Sequence, residues 1–109
     1  MDNTIMRTML FDFYGDLLTE KQREYYDLHF NSDLSLQEIA EQSGVSRQAV
    51  WDIIRRAEQS MGEIEEKTGL VAWAVRRRKA VEELESLISA LPEGESKEEM
   101  LKKISELND

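Results

Sequence analysis

The sequence predicts an all-α protein, and three observations carry that prediction. Only five Gly and one Pro occur in 109 residues, too few punctuation points for many short strands. Apolar residues recur in steps of three and four, the helical period. No stretch alternates β-branched with polar residues as a half-buried strand does. A chain of this length forms one domain with at most an appended arm.

The elements follow in order. Ile5, Met6, Met9, Leu10, Phe13 and Leu17 make one helical face, and Gly15 and Asp16 loosen the end of that helix. Thr19 opens a second helix, with Gln22 three residues on completing a capping box. Tyr25 and Tyr26 on it are expected to pack, and His29 is read as a plain helix-face residue. Asn31-Ser32-Asp33 breaks the pattern. Ser35 with Glu38 is a second capping box, opening a short helix that ends at Gly44. Ser46 caps a longer helix reaching Lys67, with a bend or fray expected at Gly62. Thr68-Gly69 precedes a fifth helix over 70–90, and Pro92-Glu93-Gly94 is the firmest break in the chain. Ser96 and Glu99 are read as the capping box of a last helix carrying Met100, Leu101, Ile104 and Leu107. Residues 1–61 are thus expected to form the core unit and 62–109 a long helical extension. The extension's stripe of Leu70, Trp73, Ala74, Val81, Leu84, Ile88 and Leu91 suits a core or a dimer seam.

Residues 35–56 have the spacing of a helix-turn-helix. Ala40 is small where two helices would touch, Gly44 makes the turn, and Ile39 fills the gap between them. Val45, Val50 and Ile53 are expected to lock the second helix against the first. The plain alternative is an ordinary helical hairpin, for which this spacing is not needed. From Leu18 the chain reads "LTEKQREYYDLHFNSDLSLQEIAEQSGVSRQAVWDIIRRAEQSM" and resembles region four of the primary bacterial sigma factors. Over essentially its whole length, including "LFDFYGDLLTEKQ" and "GLVAWAVRRR", it is more similar still to the YlxM family. That resemblance implies a sigma region-four-like helix-turn-helix domain in a DNA-binding or regulatory protein. It also implies a part in the signal recognition particle pathway.

In such a motif the N-terminal part of the second helix enters the major groove. The candidate DNA contacts are Ser46, Arg47, Gln48, Trp51 and Arg55. Arg pairs with guanine and Gln with adenine, while Ser46 offers a helix N-terminus to a phosphate. The family pattern is not kept throughout. Sigma factors commonly place Arg at the positions of Ala49 and Trp51 and Gln at that of Asp52, and a carboxylate there repels phosphate. An indole flanked by Arg is also a common composition of protein interface hot spots. Trp51 therefore either packs or makes an exposed contact, and partial burial beneath the extension is the expectation favoured by so few cations.

Charge argues in the same direction. The chain carries 23 acidic and 14 basic residues, for a net charge of −9. Residues 35–62 hold four acidic and three basic residues, the least acidic stretch but not a basic patch. Long-range steering would repel a polyanion, so DNA binding would rest on few phosphate contacts. The one cationic cluster is Arg76, Arg77, Arg78 and Lys79. Four consecutive helical residues surround a helix and do not make a flat patch. Arg78 with Glu82 and Lys79 with Glu83 are spaced to pair, and Trp73 to lie beneath Arg77. The cluster is either a solvated, salt-laced face or a contact for RNA phosphate or an acidic protein, with Arg76 and Arg77 its freest members.

The expected partners are therefore DNA, or the protein or RNA of the signal recognition particle, with a homodimer as the route to more cations per site. No nucleophile–base–acid spacing, phosphate loop or metal motif occurs, so neither an enzyme nor a cofactor is expected. Without Cys there is no disulfide or thiolate site, which fits a cytoplasmic protein. No apolar run approaches the roughly 20 residues of a membrane span. The opening "MDNTIMRTMLFDFYGD" has acids where a signal peptide needs its basic region.

Overall fold

The computed structural model describes residues 3–108, and among them every regular element is helical. The order is α1 (Asn3–Tyr14), a 3-10 turn (Gly15–Leu17), α2 (Glu20–Phe30), α3 (Leu36–Ser43), α4 (Arg47–Thr68), α5 (Leu70–Ser89) and α6 (Glu95–Leu107). The boundaries follow from local chemistry. The Thr19 hydroxyl accepts from the Gln22 amide at 3.2 Å, and the Gln22 side chain accepts from the Thr19 amide at 3.0 Å. Ser35 and Glu38 repeat that reciprocal pair at 3.0 Å each way. The hydrogen bond from the Ser35 amide, helped by its hydroxyl, holds the Glu38 carboxyl below its usual range. Gly44 and Gly69 end α3 and α4 at φ +69° and +64°, in the left-handed region that L side chains avoid.

The chain forms two compact units, one ending at Gly69 and the other beginning at Leu70. The division expected after Met61 falls inside α4, which runs unbroken through Gly62. Gly62 is exposed and a Cβ there would meet nothing, so the only cost of this residue is its helix propensity. The Ser96 capping box does not form either. Helix α6 starts one residue before Ser96, with Gly94 at the cap and no side chain accepting there.

In the first unit α1, α2 and α3 pack on α4. Its core is Tyr14, Leu18, Tyr25, Tyr26, Ile39, Ala40, Val50, Ile54, Ala57 and Met61. The α1 face expected from the sequence is rotated. Phe13 and Leu17 are 43% and 68% exposed, while Tyr14 and Leu18 point inward. The cause is the set of partners α1 meets: Arg7, Phe11 and Tyr14, spaced three or four apart, contact Glu58, Tyr26 and Glu65. Tyr14 is held by its hydroxyl, which donates to the Glu65 carboxylate at 2.6 Å. Tyr26 lies between the rings of Phe11 and Phe30, with centroids at 5.3 and 4.6 Å. Arg7 sits 4.8 Å from the centre of the Phe30 ring and pairs with Glu58 at 2.7 Å, joining α1 to α2 and α4.

The second unit is the α5–α6 pair. Its buried apolar residues are Val71, Val81 and Ile104. Asn108 donates to the Glu85 carboxylate at 2.9 Å, and the Arg77 guanidinium donates to the Leu107 carbonyl. None of the described helices is long and apolar enough to cross a membrane.

Candidate functional site

The two helices of the motif are set by a turn and two locks. After Gly44, the Val45 amide donates back to the Ala40 carbonyl at 3.2 Å, closing the exit of α3. Ser46 then caps α4, its hydroxyl accepting from the Ala49 amide at 3.0 Å. Ile39, Ala40, Val50 and Ile54 are buried where α3 meets α4 and the rest of the core. Ile54, not Ile53, is the fully buried residue; Ile53 and Val45 are half-buried. Positions 50, 54, 57 and 61 advance by three or four, so they share the inward stripe of α4, and Ile53 lies at its edge.

The entry to α3 is fixed by a residue pair that sequence reading passed over. His29 lies at the end of α2, and its Nδ1 is 2.7 Å from the Leu34 carbonyl oxygen. A carbonyl only accepts, so Nδ1 carries the proton. Asp33 turns the chain at φ +57°, a conformation Asp tolerates better than most residues. The signal was present in the Asn31-Ser32-Asp33 break, but nothing in it pointed to His29 as the clasp.

The outward side of α4 brings the candidate DNA contacts together. Arg47, Trp51 and Arg55 follow one another at four-residue intervals, and Gln48 falls beside them within about a third of the circumference. All four are exposed, as is Ser46 at the cap. Trp51, expected to be partly buried, is 41% exposed. It borders an open groove of about 410 Å³ with Leu36, Arg47 and Gln48, between the start of α3 and the start of α4. Asp52 turns toward its own helix, where its carboxylate accepts from the Gln48 amide nitrogen at 3.1 Å. That bond shields part of the misplaced charge but engages a Gln48 donor.

The cations differ in how they are engaged. Arg7 and Arg23 are paired with Glu58 at 2.7 Å and Asp16 at 3.1 Å. Among the described residues, Arg47, Arg55 and Arg56 have no carboxylate within 4 Å. In the second unit Arg78 reaches Glu82 at 3.9 Å, as its spacing predicts. Arg77 lies 5.8 Å from the centre of the Trp73 ring, the stacking expected, and its bond to the Leu107 carbonyl means it is not a free member of the cluster. Arg76 and Lys79 remain exposed. Among the described residues no group of His, Asp and Glu is arranged to hold a metal ion.

The sequence pattern of the family described as "Putative helix-turn-helix protein, YlxM / p13 like" matches residues 1–107. The chain belongs to this family. It is 49% identical over 89 residues to a UPF0122 protein of Geobacillus kaustophilus, covering 82% of this chain and 81% of the relative. A UPF0122 protein of Halalkalibacterium halodurans is 47% identical over 88 residues, 81% of each chain. One from a Thermoanaerobacter species is 41% identical over 106 residues, 97% of this chain and 91% of the relative. The family description names a helix-turn-helix and no enzymatic activity.

Proposed function

We propose that this is a regulatory DNA-binding protein that docks the N-terminal half of α4 in the major groove. The supporting observation is that Arg47 and Arg55 stand exposed and unpaired on the face where a helix-turn-helix meets DNA. Among the described residues Arg56 and Arg76 also lack a carboxylate partner, but Arg47 and Arg55 share one face of α4 and are together available for phosphate or guanine. Ser46 and the free amides at the start of α4 add a phosphate contact. Trp51 supplies apolar contact to a thymine methyl, and Gln48 reads adenine once its donor leaves Asp52. With so few cations, affinity depends steeply on salt.

A second reading has its own observation, the apolar edge that Leu36 and Trp51 give the groove. An exposed indole between arginines suits a protein partner, and an acidic body suits a basic one. On this reading the chain is an adaptor of the signal recognition particle pathway, with Arg76 to Lys79 contacting its RNA. One titration separates the two. Labelled genomic fragments at low salt, and purified particle protein with and without RNA, are each offered to the parent, to Arg47→Ala/Arg55→Ala and to Trp51→Ala. DNA binding predicts that the arginine pair loses affinity and that the salt slope falls by about one per phosphate contact removed. If no fragment binds even at low salt, the DNA reading is discarded. Binding of the particle that Trp51→Ala weakens would replace it with the adaptor reading.

A further inference from the structure

We propose that the α5–α6 pair binds a second copy of this chain through its exposed apolar face, forming a symmetric dimer. Leu84, Leu87, Ile88 and Leu91 follow the i, i+3, i+4, i+7 spacing on α5, and Met100, Ile104 and Leu107 the i, i+4, i+7 spacing on α6. Those are seam positions of a helical bundle. Apart from buried Ile104 and half-buried Ile88, they are not covered within the protomer. Leu84 is 46% exposed, Leu87 68%, Leu91 42%, Met100 40% and Leu107 44%. Between the two stripes runs an open groove of about 510 Å³ floored by Leu84, Ile88, Met100 and Ile104. Two helices with Val71, Val81 and Ile104 as their buried apolar residues are below the size at which a chain sustains a core alone. Stripes that remain wet on both helices at once are unusual on a monomer.

The charges on the groove select the occupant. Glu99 and Lys103 stand one helical turn apart on its α6 wall. A uniformly basic partner would satisfy Glu99 and repel Lys103, and an acidic one the reverse. A copy related by a two-fold axis, with its α6 antiparallel, sets each Lys103 over the Glu99 of the other protomer and satisfies both. Within the protomer, Lys103 reaches only Glu106 at 3.8 Å, and Glu99 has no ion pair among the described residues. The two hairpins together give a four-helix bundle, with one helix-turn-helix motif on each chain. This inference does not depend on what that motif binds.

The test is sedimentation equilibrium of the full chain across micromolar to millimolar concentrations. The parent is expected at twice the protomer mass. Leu84→Glu/Met100→Glu is expected at the protomer mass with its helical circular dichroism retained. Because two charges on the apolar face can also loosen the hairpin, a series at the charged positions stands beside it. Glu99→Lys and Lys103→Glu should each weaken association about tenfold, since symmetry makes every reversal count twice. The double reversal should restore it. A parent that sediments as a protomer throughout overturns the proposal and leaves the face for a different partner. A dimer indifferent to every one of these charge reversals overturns it as well, because association would then use another surface.

Discussion

The helices up to Gly69 and those from Leu70 onward are built from similar residues but bury them very differently. Among the described residues, the first unit places ten apolar or aromatic side chains out of solvent, three of them tyrosines. The second buries Val71, Val81 and Ile104 and leaves Leu70, Trp73, Leu84, Leu87, Leu91, Met100 and Leu107 at least 40% exposed. Three helices packed on a fourth can enclose a core, whereas a pair of helices has only one mutual face. Number of elements, not hydrophobicity, separates the two regions. The difference is one of work as well: the first unit holds the second helix of the motif in fixed geometry, and the second offers an apolar surface.

The largest expected effect tests the difference in burial. Ile54→Ala removes a side chain that is 1% exposed and should cost about 2–5 kcal/mol of stability. Leu87→Ala, at a site 68% exposed, should cost under about 0.5 kcal/mol in dilute protein. Urea titrations of both variants decide it, and equal costs would erase the distinction between the units. An intermediate effect is expected at the turn of the motif. Gly44→Val places a β-branched residue at φ +69°, while a Cβ there would meet no atom within 4 Å. The cost is therefore backbone strain alone, about 1–3 kcal/mol. A melting temperature matching that of the parent would show that α3 and α4 tolerate another exit.

The smallest effect sharpens the account of the first core. Tyr26 is 1% exposed, and its hydroxyl has no partner among the described residues. Burial, with Glu58 adding and Arg7 opposing, pushes its pKa from 10.0 up to about 12. Tyr26→Phe loses no protein hydrogen bond, so at neutral pH its cost should stay within about 1 kcal/mol. At alkaline pH the sign is definite. Between about 10 and 12 the unfolded chain releases this proton while the folded one keeps it, so stability falls as pH rises through that window. Denaturant midpoints from pH 9 upward should fall more steeply in the parent than in Tyr26→Phe. Parallel curves would mean the hydroxyl is solvated after all.

The two units also differ in how far the sequence foretold them. In the first, both capping boxes and the left-handed Gly44 are local events, decided by residues three or four apart, and they occur where the spacing placed them. The alignment of Arg47, Trp51 and Arg55 on one face of α4 is likewise a matter of helical period. Tyr14 was not legible, because its inward turn depends on partners at Glu65 and Thr68, some fifty residues away. The Arg7–Glu58 pair is as distant in sequence and as invisible there. In the second unit Ser96 had the residue types of a cap, yet α6 begins before it and takes Gly94 instead.

By itself the sequence determined the helices, most of their ends and the helix-turn-helix, since capping, propensity and periodicity act over a single turn. Only the tertiary structure decided which side of α1 is inside, that Ile54 and not Ile53 closes the motif, and that Arg77 is engaged while Arg47 and Arg55 are not. It also decided that Trp51 is open to solvent. Those outcomes depend on where distant helices come to rest, and a side chain's exposure is a property of its neighbours, which no local pattern specifies.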